Sequence, residues 1–181
     1  MRILALSGSL RAASTNTALL RAAGRLAPPD IAWVLYEKLA DLPAFNPDLD
    51  EAGAPAAVAD FRAAIARADG LVIASPEYAH GVPGALKNAL DWVVAGSEII
   101  EKPTAFFHAS SRGIVAQAAL AEILKTMSAD LVAEATVTIP LLGKAAGEID
   151  DILSAPENVK LLREAIAAFA RAIGKRRARP L

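Results

Sequence analysis

The sequence predicts a doubly wound α/β fold, in which helices cover both faces of a five-stranded parallel sheet. Two observations predict it. Five short strand-like runs alternate along the 181 residues with five segments of helical spacing, which is the pattern of parallel strands joined by crossover helices. Polar loops follow the first, third and fourth of these runs, where ligands bind in such sheets. With no internal repeat, we expect one domain over residues 1–174 that buries roughly 70% of its unfolded surface.

In the first half of the chain, three strands are predicted at residues 3–6, 31–36 and 71–74. The third is wholly apolar, as expected of a strand that is buried on both faces of a parallel sheet. Apolar residues at helical spacing predict one helix from Thr17 and another around residues 58–68. Prolines and a glycine predict a long loop over residues 42–55, and a loop of this length is usually functional or mobile.

In the second half, strands are predicted at residues 104–109 and 131–139, and helices around residues 83–94, 120–127 and 159–173. Pro83 opens its helix in the first turn, where proline is favoured. In the last strand, apolar residues alternate with Glu134, Thr136 and Thr138, which predicts an edge strand with one partly solvated face.

The loop between the first strand and the first helix is predicted to hold a phosphate group. Backbone N–H groups at a helix N-terminus lack partners, and the helix dipole favours an anion there. Arg11 adds a cationic fork that suits phosphate. Four hydroxyl donors surround it, namely Ser9, Ser14, Thr15 and Thr17. Neither a P-loop nor a Rossmann dinucleotide motif is present. The alternative is that Ser14 or Thr15 merely caps the helix and Arg11 is solvated.

The other two rim loops, residues 75–81 and 110–113, are predicted to hold a flat ring. Main-chain N–H groups from Glu77 to Gly81 would bind the polar edge of the ring, while Pro76 and Tyr78 fix the shape of the loop. Gly81 would permit close approach of the backbone to a ligand. The alternative is that Glu77 and Tyr78 are ordinary exposed loop residues.

Composition and residue spacing argue against several other classes of function. The chain has no cysteine and a net charge of −1, so we expect no thiol chemistry and no nucleic-acid partner. The two histidines, His80 and His108, lack metal-ligand spacing, and we expect no metal site. No apolar run reaches the ~20 residues that span a bilayer. The first strand begins at once and leaves no room for a signal peptide, so a cytoplasmic location is expected. Residues 175–181 form a basic tail, which we expect to be frayed and solvated.

Three stretches resemble the NADPH-dependent FMN reductase family, which includes quinone, chromate and azo-dye reductases of flavodoxin-like fold. They read GSLRxxSxN at residues 8–16, LPxFNxDL at residues 42–49 and SPEYxHGxPGxLKNxLDW at residues 75–92. The resemblance runs from residue 1 to about residue 130. It implies a strand order of 2-1-3-4-5, an FMN cofactor, and NADPH or NADH as the hydride donor.

The resemblance also assigns the binding residues. By that likeness, the phosphate and ribityl chain of FMN contact Ser9, Arg11, Ser14, Asn16 and Thr17. The flavin ring contacts Pro76, Glu77, Tyr78, Ala79, His80 and Gly81, with Ser110, Ser111, Arg112 and Gly113 on its other flank. The sequence departs from the family at Ala79, where Asn is common, and at Arg112, where the family has more glycine. No catalytic acid or base is expected, because the flavin carries the chemistry.

The function predicted from these residues is NAD(P)H-driven reduction of a quinone, free flavin, azo compound or oxyanion by a ping-pong cycle. NADPH is expected to be preferred, through Arg11 or Arg112. The alternatives are a flavodoxin-like FMN electron carrier that does not oxidise NADPH, or a binding protein that has lost its flavin.

A homodimer, or a tetramer built from two dimers, is also expected, with residues 81–96 central to the contact. Leu86, Leu90 and Val94 are predicted to face the chain's own sheet, which leaves Trp92 and Val93 exposed as an interface. The alternative is that Trp92 packs under the 42–55 loop.

Overall fold

The computed structural model describes residues 1–178 and contains a parallel sheet of the predicted topology. The strands are β1 (Arg2–Ser7), β2 (Ala32–Tyr36), β3 (Gly70–Ala74), β4 (Pro103–His108), β5 (Asp130–Leu131) and β6 (Val137–Thr138). They are ordered β2-β1-β3-β4-β5, and β6 also pairs with β4. Every pairing is parallel. The predicted flavodoxin-like order is therefore confirmed, and the carboxyl ends of the strands share one rim.

Helices cover both faces of the sheet. Within residues 1–178 they are α1 (Thr15–Leu26), α2 (Pro47–Glu51), α3 (Ala56–Ala66), α4 (Gly84–Asp91), α5 (Ile114–Thr126), α6 (Ala146–Ser154) and α7 (Pro156–Arg177). Residues of α1, α6 and α7 pack on one face of the sheet, and residues of α3, α4 and α5 pack on the other. The short helices α2 and α6 were not predicted. Pro83 occupies the N-cap position of α4, one residue before the first turn in which it was expected.

The fifth strand differs from its prediction. A 3-10 turn at Ala133–Ala135 divides the predicted strand into β5 and β6. β5 pairs with the first half of β4 and β6 with the second half, so that both segments lie beside the same strand. Exposed and buried residues alternate only from Ala135 onward. The turn breaks the two-residue period over the first part of the segment.

The expected interface at Trp92 and Val93 is wrong, because both side chains are fully buried, whereas Val94 is 53% exposed. Helix α4 ends at Asp91, so its helical period does not extend to these residues. The indole of Trp92 packs edge-on against Phe45 at 5.1 Å between ring centroids. The alternative, in which Trp92 packs under the 42–55 loop, is confirmed.

Hydrogen bonds hold the 42–55 loop against α3 and α4. Asn88 donates from Nδ2 to the carbonyl oxygen of Pro43 at 2.9 Å and accepts from the N–H of Phe45 at 2.8 Å. Arg62 forms a bidentate pair with Asp50 at 2.7 and 2.8 Å. Asn88 and Trp92 of the family-like motif therefore anchor this loop.

The expected frayed tail is also corrected. Helix α7 continues through Arg177. Arg176 forms an ion pair with Glu101, and Arg177 contacts Asp69 at 2.5 Å. These pairs hold the end of the helix at the amino edge of the sheet. Residues 179–181, including Arg179 of the predicted basic tail, lie outside the described residues.

Candidate functional site

The loop after β1 lines a cavity of about 620 Å³ at the carboxyl edge of the sheet. The predicted residues Ser9, Arg11, Ser14 and Asn16 all line it. Gly8 allows the close approach of the neighbouring loop, because a Cβ atom at Gly8 would lie 2.7 Å from Oγ of Ser75. The start of α1 and the β3 loop are therefore brought side by side.

Unpaired donors surround this cavity. Within residues 1–178, the backbone N–H groups of residue 10 and of residues 12–16 have no hydrogen-bond partner. The first turn of α1 contains no acidic residue, and no acidic group in the described chain pairs with Arg11. Asn16 is 6% exposed, and its amide has no partner within the described chain. A phosphate group fits a cradle with these unmatched donors.

Ser14 and Thr17 also have structural roles in the same loop. Oγ of Ser14 accepts a hydrogen bond from the N–H of Thr17 at 3.3 Å, so Ser14 caps α1. Oγ1 of Thr17 lies 2.8 Å from Oγ of Ser7. Thr17 lines a separate cavity of about 230 Å³ towards β2, which it shares with Ser9 and Arg11. Thr17 thus lines a different cavity from Ser14 and Asn16.

A slot of about 230 Å³ continues from the large cavity, between the loops that follow β3 and β4. Of the residues predicted for the ring, the slot is lined by Pro76, Glu77, Tyr78, Ser110, Arg112 and Gly113. Asn16 also lines it, at the junction with the large cavity. Ala79, His80, Gly81 and Ser111 lie beside the slot and do not line it. The three polar loops predicted from the sequence, which follow β1, β3 and β4, therefore lie together at one rim of the sheet.

The tip of the β3 loop is a two-residue hairpin. Tyr78 and Gly81 exchange backbone hydrogen bonds at 3.1 and 2.9 Å. The two residues between them, Ala79 and His80, have φ angles of +49° and +58°, which is the left-handed geometry of a type I′ turn. The left-handed positions are therefore not at Gly81. Among residues 77–81, the unpaired N–H groups within the described chain are those of Glu77, Ala79 and His80.

Glu77 joins the two walls of the slot. Its Oε2 accepts a hydrogen bond from the backbone N–H of Ala116, in the first turn of α5, at 2.8 Å. Its Oε1 lies 3.7 Å from Nδ1 of His80. The N–H groups of Gly113, Ile114 and Val115 have no partner within residues 1–178, and Gly113 lines the slot. Unpaired N–H groups of this kind can donate to the polar edge of a ring.

His108 lies under the slot, at the end of β4. It lines a small space with Ser75 and Gln117, both of which also line the slot. Burial lowers the pKa of His108 below its ordinary value, so the imidazole is neutral at pH 7. Its ring stacks on Phe106 at 5.9 Å between centroids. No group of three or more potential metal ligands occurs in the described chain.

The far wall of the large cavity was missed by sequence analysis. It is formed by Leu142, by residues 143–146 and by Asp150 of α6. The pairing of β6 with β4 brings this segment to the rim, where the N–H of Leu141 donates to the carbonyl oxygen of Ala109 at 2.8 Å. Leu142 is 60% exposed beside the buried Leu141. The only signal in the sequence is this leucine pair before Gly143.

A parallel sheet of order 2-1-3-4-5, with a phosphate cradle that opens into a ring slot, defines a flavodoxin-like protein with a nucleotide-type cofactor site. Flavodoxin 1 from Bacillus cereus shares this fold, with a TM-score of 0.58 and 16% identity over 94% of this chain and 98% of its own. A family model described as NADPH-dependent FMN reductase matches residues 1–142. The chain belongs to this family.

Curated relatives carry related names. A probable NADPH:quinone oxidoreductase 2 from Oryza sativa subsp. japonica is 44% identical over 95 residues, 51% of this chain and 47% of the relative. The quinone reductase of Escherichia coli K12 is 36% identical over 120 residues, 64% of this chain and 62% of the relative. The chain thus aligns with about half to three fifths of the length of these relatives.

One solved structure is similar over nearly the whole chain. It is the flavoenzyme NAD(P)H:(acceptor) oxidoreductase FerB from Paracoccus denitrificans, with a TM-score of 0.78 and 27% identity. The match covers 96% of this chain and 97% of FerB.

In the described part of the chain, no helix is long and apolar enough to cross a membrane.

Proposed function

We propose that this chain is an FMN-dependent NAD(P)H oxidoreductase that reduces quinones, free flavin, azo compounds or oxyanions. The observation that carries the proposal is the continuity of the phosphate cradle with the ring slot, within the segment that the family model matches. An anionic head group and a flat ring on one molecule fit this shape. When bound, FMN accepts a hydride from NAD(P)H and passes the electrons to the acceptor.

The residues of the chain bind and orient in this proposal. Arg11 and the free N–H groups of residues 12–16 hold the phosphate, with Ser9 and Ser14 beside them. Asn16 stands where the ribityl chain passes from cradle to slot. The loops after β3 and β4 hold the ring through backbone donors. The Glu77 carboxylate accepts the N–H of Ala116, and His108 does not line the slot. We therefore assign neither of them a proton-transfer role.

Donor and acceptor are proposed to use the same open face of the slot in turn, which is a ping-pong cycle. Tyr78 and Arg112 line the slot and are exposed. We propose that Arg112 favours NADPH by binding the 2′-phosphate of that nucleotide, since guanidinium binds phosphate in a bidentate manner. Arg11, the other residue predicted for this role, holds the phosphate of FMN in this proposal. Steady-state rates with both nucleotides and a quinone test this. Parallel double-reciprocal lines and a higher kcat/KM for NADPH are expected, and an equal or higher value for NADH contradicts the preference.

The electron-carrier alternative has less support. The curated relatives above are named as reductases, whereas the likeness to flavodoxin is one of fold alone. NADPH consumption without added reductase separates the two functions. A carrier that depends on a separate reductase consumes none.

A homodimer, or a tetramer built from two dimers, remains part of the proposal, with the contact on residues other than Trp92 and Val93. Val94 and Ile100 are 53% and 52% exposed, and exposed apolar side chains of this kind mark interaction surfaces when they cluster. Light scattering at micromolar concentration tests this, with Val94→Glu expected to dissociate the subunits while the fold is kept. A mass near 18.8 kDa for the unsubstituted chain contradicts it. A cytoplasmic location is likewise proposed.

A further inference from the structure

Helix α5 has no N-terminal cap of its own. Gly113 occupies the N-cap position without a side chain, and the first turn contains no acidic residue. The helix begins instead with Ile114 and Val115, which are 66% and 43% exposed. The N–H groups of a first turn need an acceptor from outside the helix. Here the acceptor for Ala116, the third residue of α5, is the carboxylate of Glu77 at 2.8 Å.

Glu77 reaches this helix from the opposite wall of the slot. It belongs to the β3 loop, 39 residues earlier in the chain than Ala116. A Cβ atom built on Gly113 would lie 3.5 Å from Cβ of Glu77, so the two loops are in contact at this point. A carboxylate at the positive end of a helix gains from the helix dipole as well as from the hydrogen bond. The other carboxylate oxygen, Oε1, lies 3.7 Å from Nδ1 of His80.

We propose that Glu77 is a positioning residue, which fixes the separation of the two walls of the ring slot by capping α5 from the β3 loop. The inference rests on the proposed function, because the ring of FMN is the ligand whose slot is set. Glu77 does not need to contact the ring for this role. Without the carboxylate, the start of α5 and the β3 loop lose the hydrogen bond that joins them. The distance between the two walls of the slot then varies.

The test separates this link from simple helix capping. Gly113→Ser places a hydroxyl at the N-cap, where it can accept the N–H of the third helical residue, and a Cβ atom there meets only ordinary contacts. The variants are Glu77→Ala, Glu77→Gln, Gly113→Ser and the double variant Glu77→Ala/Gly113→Ser. Glu122→Ala is the matched control, since Glu122 is an exposed acid on α5 outside the slot.

FMN affinity is measured by quenching of flavin fluorescence. Glu77→Ala is expected to weaken FMN binding by at least about tenfold, because the slot then has the width that fits the ring in only about a tenth of the molecules. Glu77→Gln keeps an acceptor oxygen, and its affinity for FMN is expected to lie between those of Glu77→Ala and the unsubstituted chain. If Glu77→Ala fails to fold, Glu77→Gln provides the comparison. Glu122→Ala is expected to bind as the unsubstituted chain does. Affinity restored by Gly113→Ser in the double variant, after correction for Gly113→Ser alone, overturns the proposal.

Amide hydrogen exchange of the ligand-free protein gives a second readout. In Glu77→Ala, both residues 75–81 and the first turn of α5 are expected to lose protection. In the double variant, only α5 is expected to regain it. Loss confined to α5 overturns the proposal even if FMN binds. If the unsubstituted chain binds no FMN, the proposed function fails, and the exchange of residues 75–81 still decides whether Glu77 links the loops.

Discussion

The indole Nε1 of Trp92 donates a hydrogen bond to the carbonyl oxygen of Pro43 at 2.8 Å. The carbonyl oxygen of Trp92 in turn accepts from Nε of Arg62 at 2.8 Å. Trp92 is therefore a core residue that fastens the 42–55 loop to the end of helix α4 and to Arg62 of α3. Trp92 therefore contributes to the stability of a single chain and does not lie at the expected subunit interface.

Trp92→Ala is expected to lower the free energy of unfolding by about 3–5 kcal/mol, because it removes a fully buried aromatic side chain and leaves a cavity. Urea unfolding at one protein concentration measures this. Leu161→Ala, a 43% exposed position on α7, is the control and should stay within about 0.5 kcal/mol. An unchanged unfolding free energy for Trp92→Ala would place the residue outside the core.

Arg11→Glu is expected to weaken FMN binding by tenfold or more with the fold intact. The substitution replaces a charge-assisted hydrogen bond, worth roughly 1.5–3 kcal/mol, with repulsion of the phosphate. Arg25→Glu, an exposed charge reversal on α1 outside the cavities, controls for net charge. Equal FMN affinity in the two variants would remove Arg11 from the site.

Ala79→Asn is expected to raise the free energy of unfolding by about 0.5–1 kcal/mol. Ala79 has a φ of +49° in a type I′ turn, where a residue with Cβ is strained by about 1–2 kcal/mol and Asn is tolerated. Urea unfolding of Ala79→Asn and Ala79→Val measures the strain, since a β-branched residue fits worst there. A stability gain for valine would show that the turn is not strained at this position.

Asp69 is expected to make the free energy of unfolding decrease as the pH is lowered into the acid range. Burial raises its pKa, but the N–H of Arg2 and the guanidinium of Arg177 outweigh this and lower the pKa below its ordinary value. A lowered folded-state pKa contributes stability that is present above the unfolded-state pKa and is lost as pH falls through the folded-state pKa.

The comparison of unfolding free energies is made with Asp69→Asn. The unsubstituted chain should be more stable near neutral pH, by about 1–2 kcal/mol, and the difference should shrink below the ordinary carboxyl range near pH 4. Asp151→Asn, an exposed acid on α6, should show no such trend. A difference that is constant with pH contradicts the role of the carboxylate charge.

The sheet and the rim loops could be predicted because their signals are local. Apolar runs, helical spacing and polar loops placed the first four strands within about a residue or two, and the rim follows from parallel strand order. The fifth strand could not be predicted as two segments, because the turn at Ala133–Ala135 interrupts residues that alternate in sequence. Val94 was assigned to the core by extending the period of α4 past Asp91, where the helix ends.

The features of the site that could not be predicted depend on contacts between residues that are distant in the sequence. Glu77 and Ala116 are 39 residues apart, and no local pattern pairs them. Leu142 reaches the cavity only because β6 runs beside the end of β4. The hairpin at residues 78–81 carries Ala and His where Asn and Gly usually signal a type I′ turn, so its left-handed residues could not be recognised.

The visible absorption spectrum of the purified chain, loaded with FMN and titrated with NADPH without oxygen, tests the central claim most directly. We predict that FMN binds, that its visible band disappears on addition of NADPH, and that a quinone restores it. A chain that binds no FMN, or whose bound FMN keeps its visible band in excess NADPH and NADH, contradicts the account.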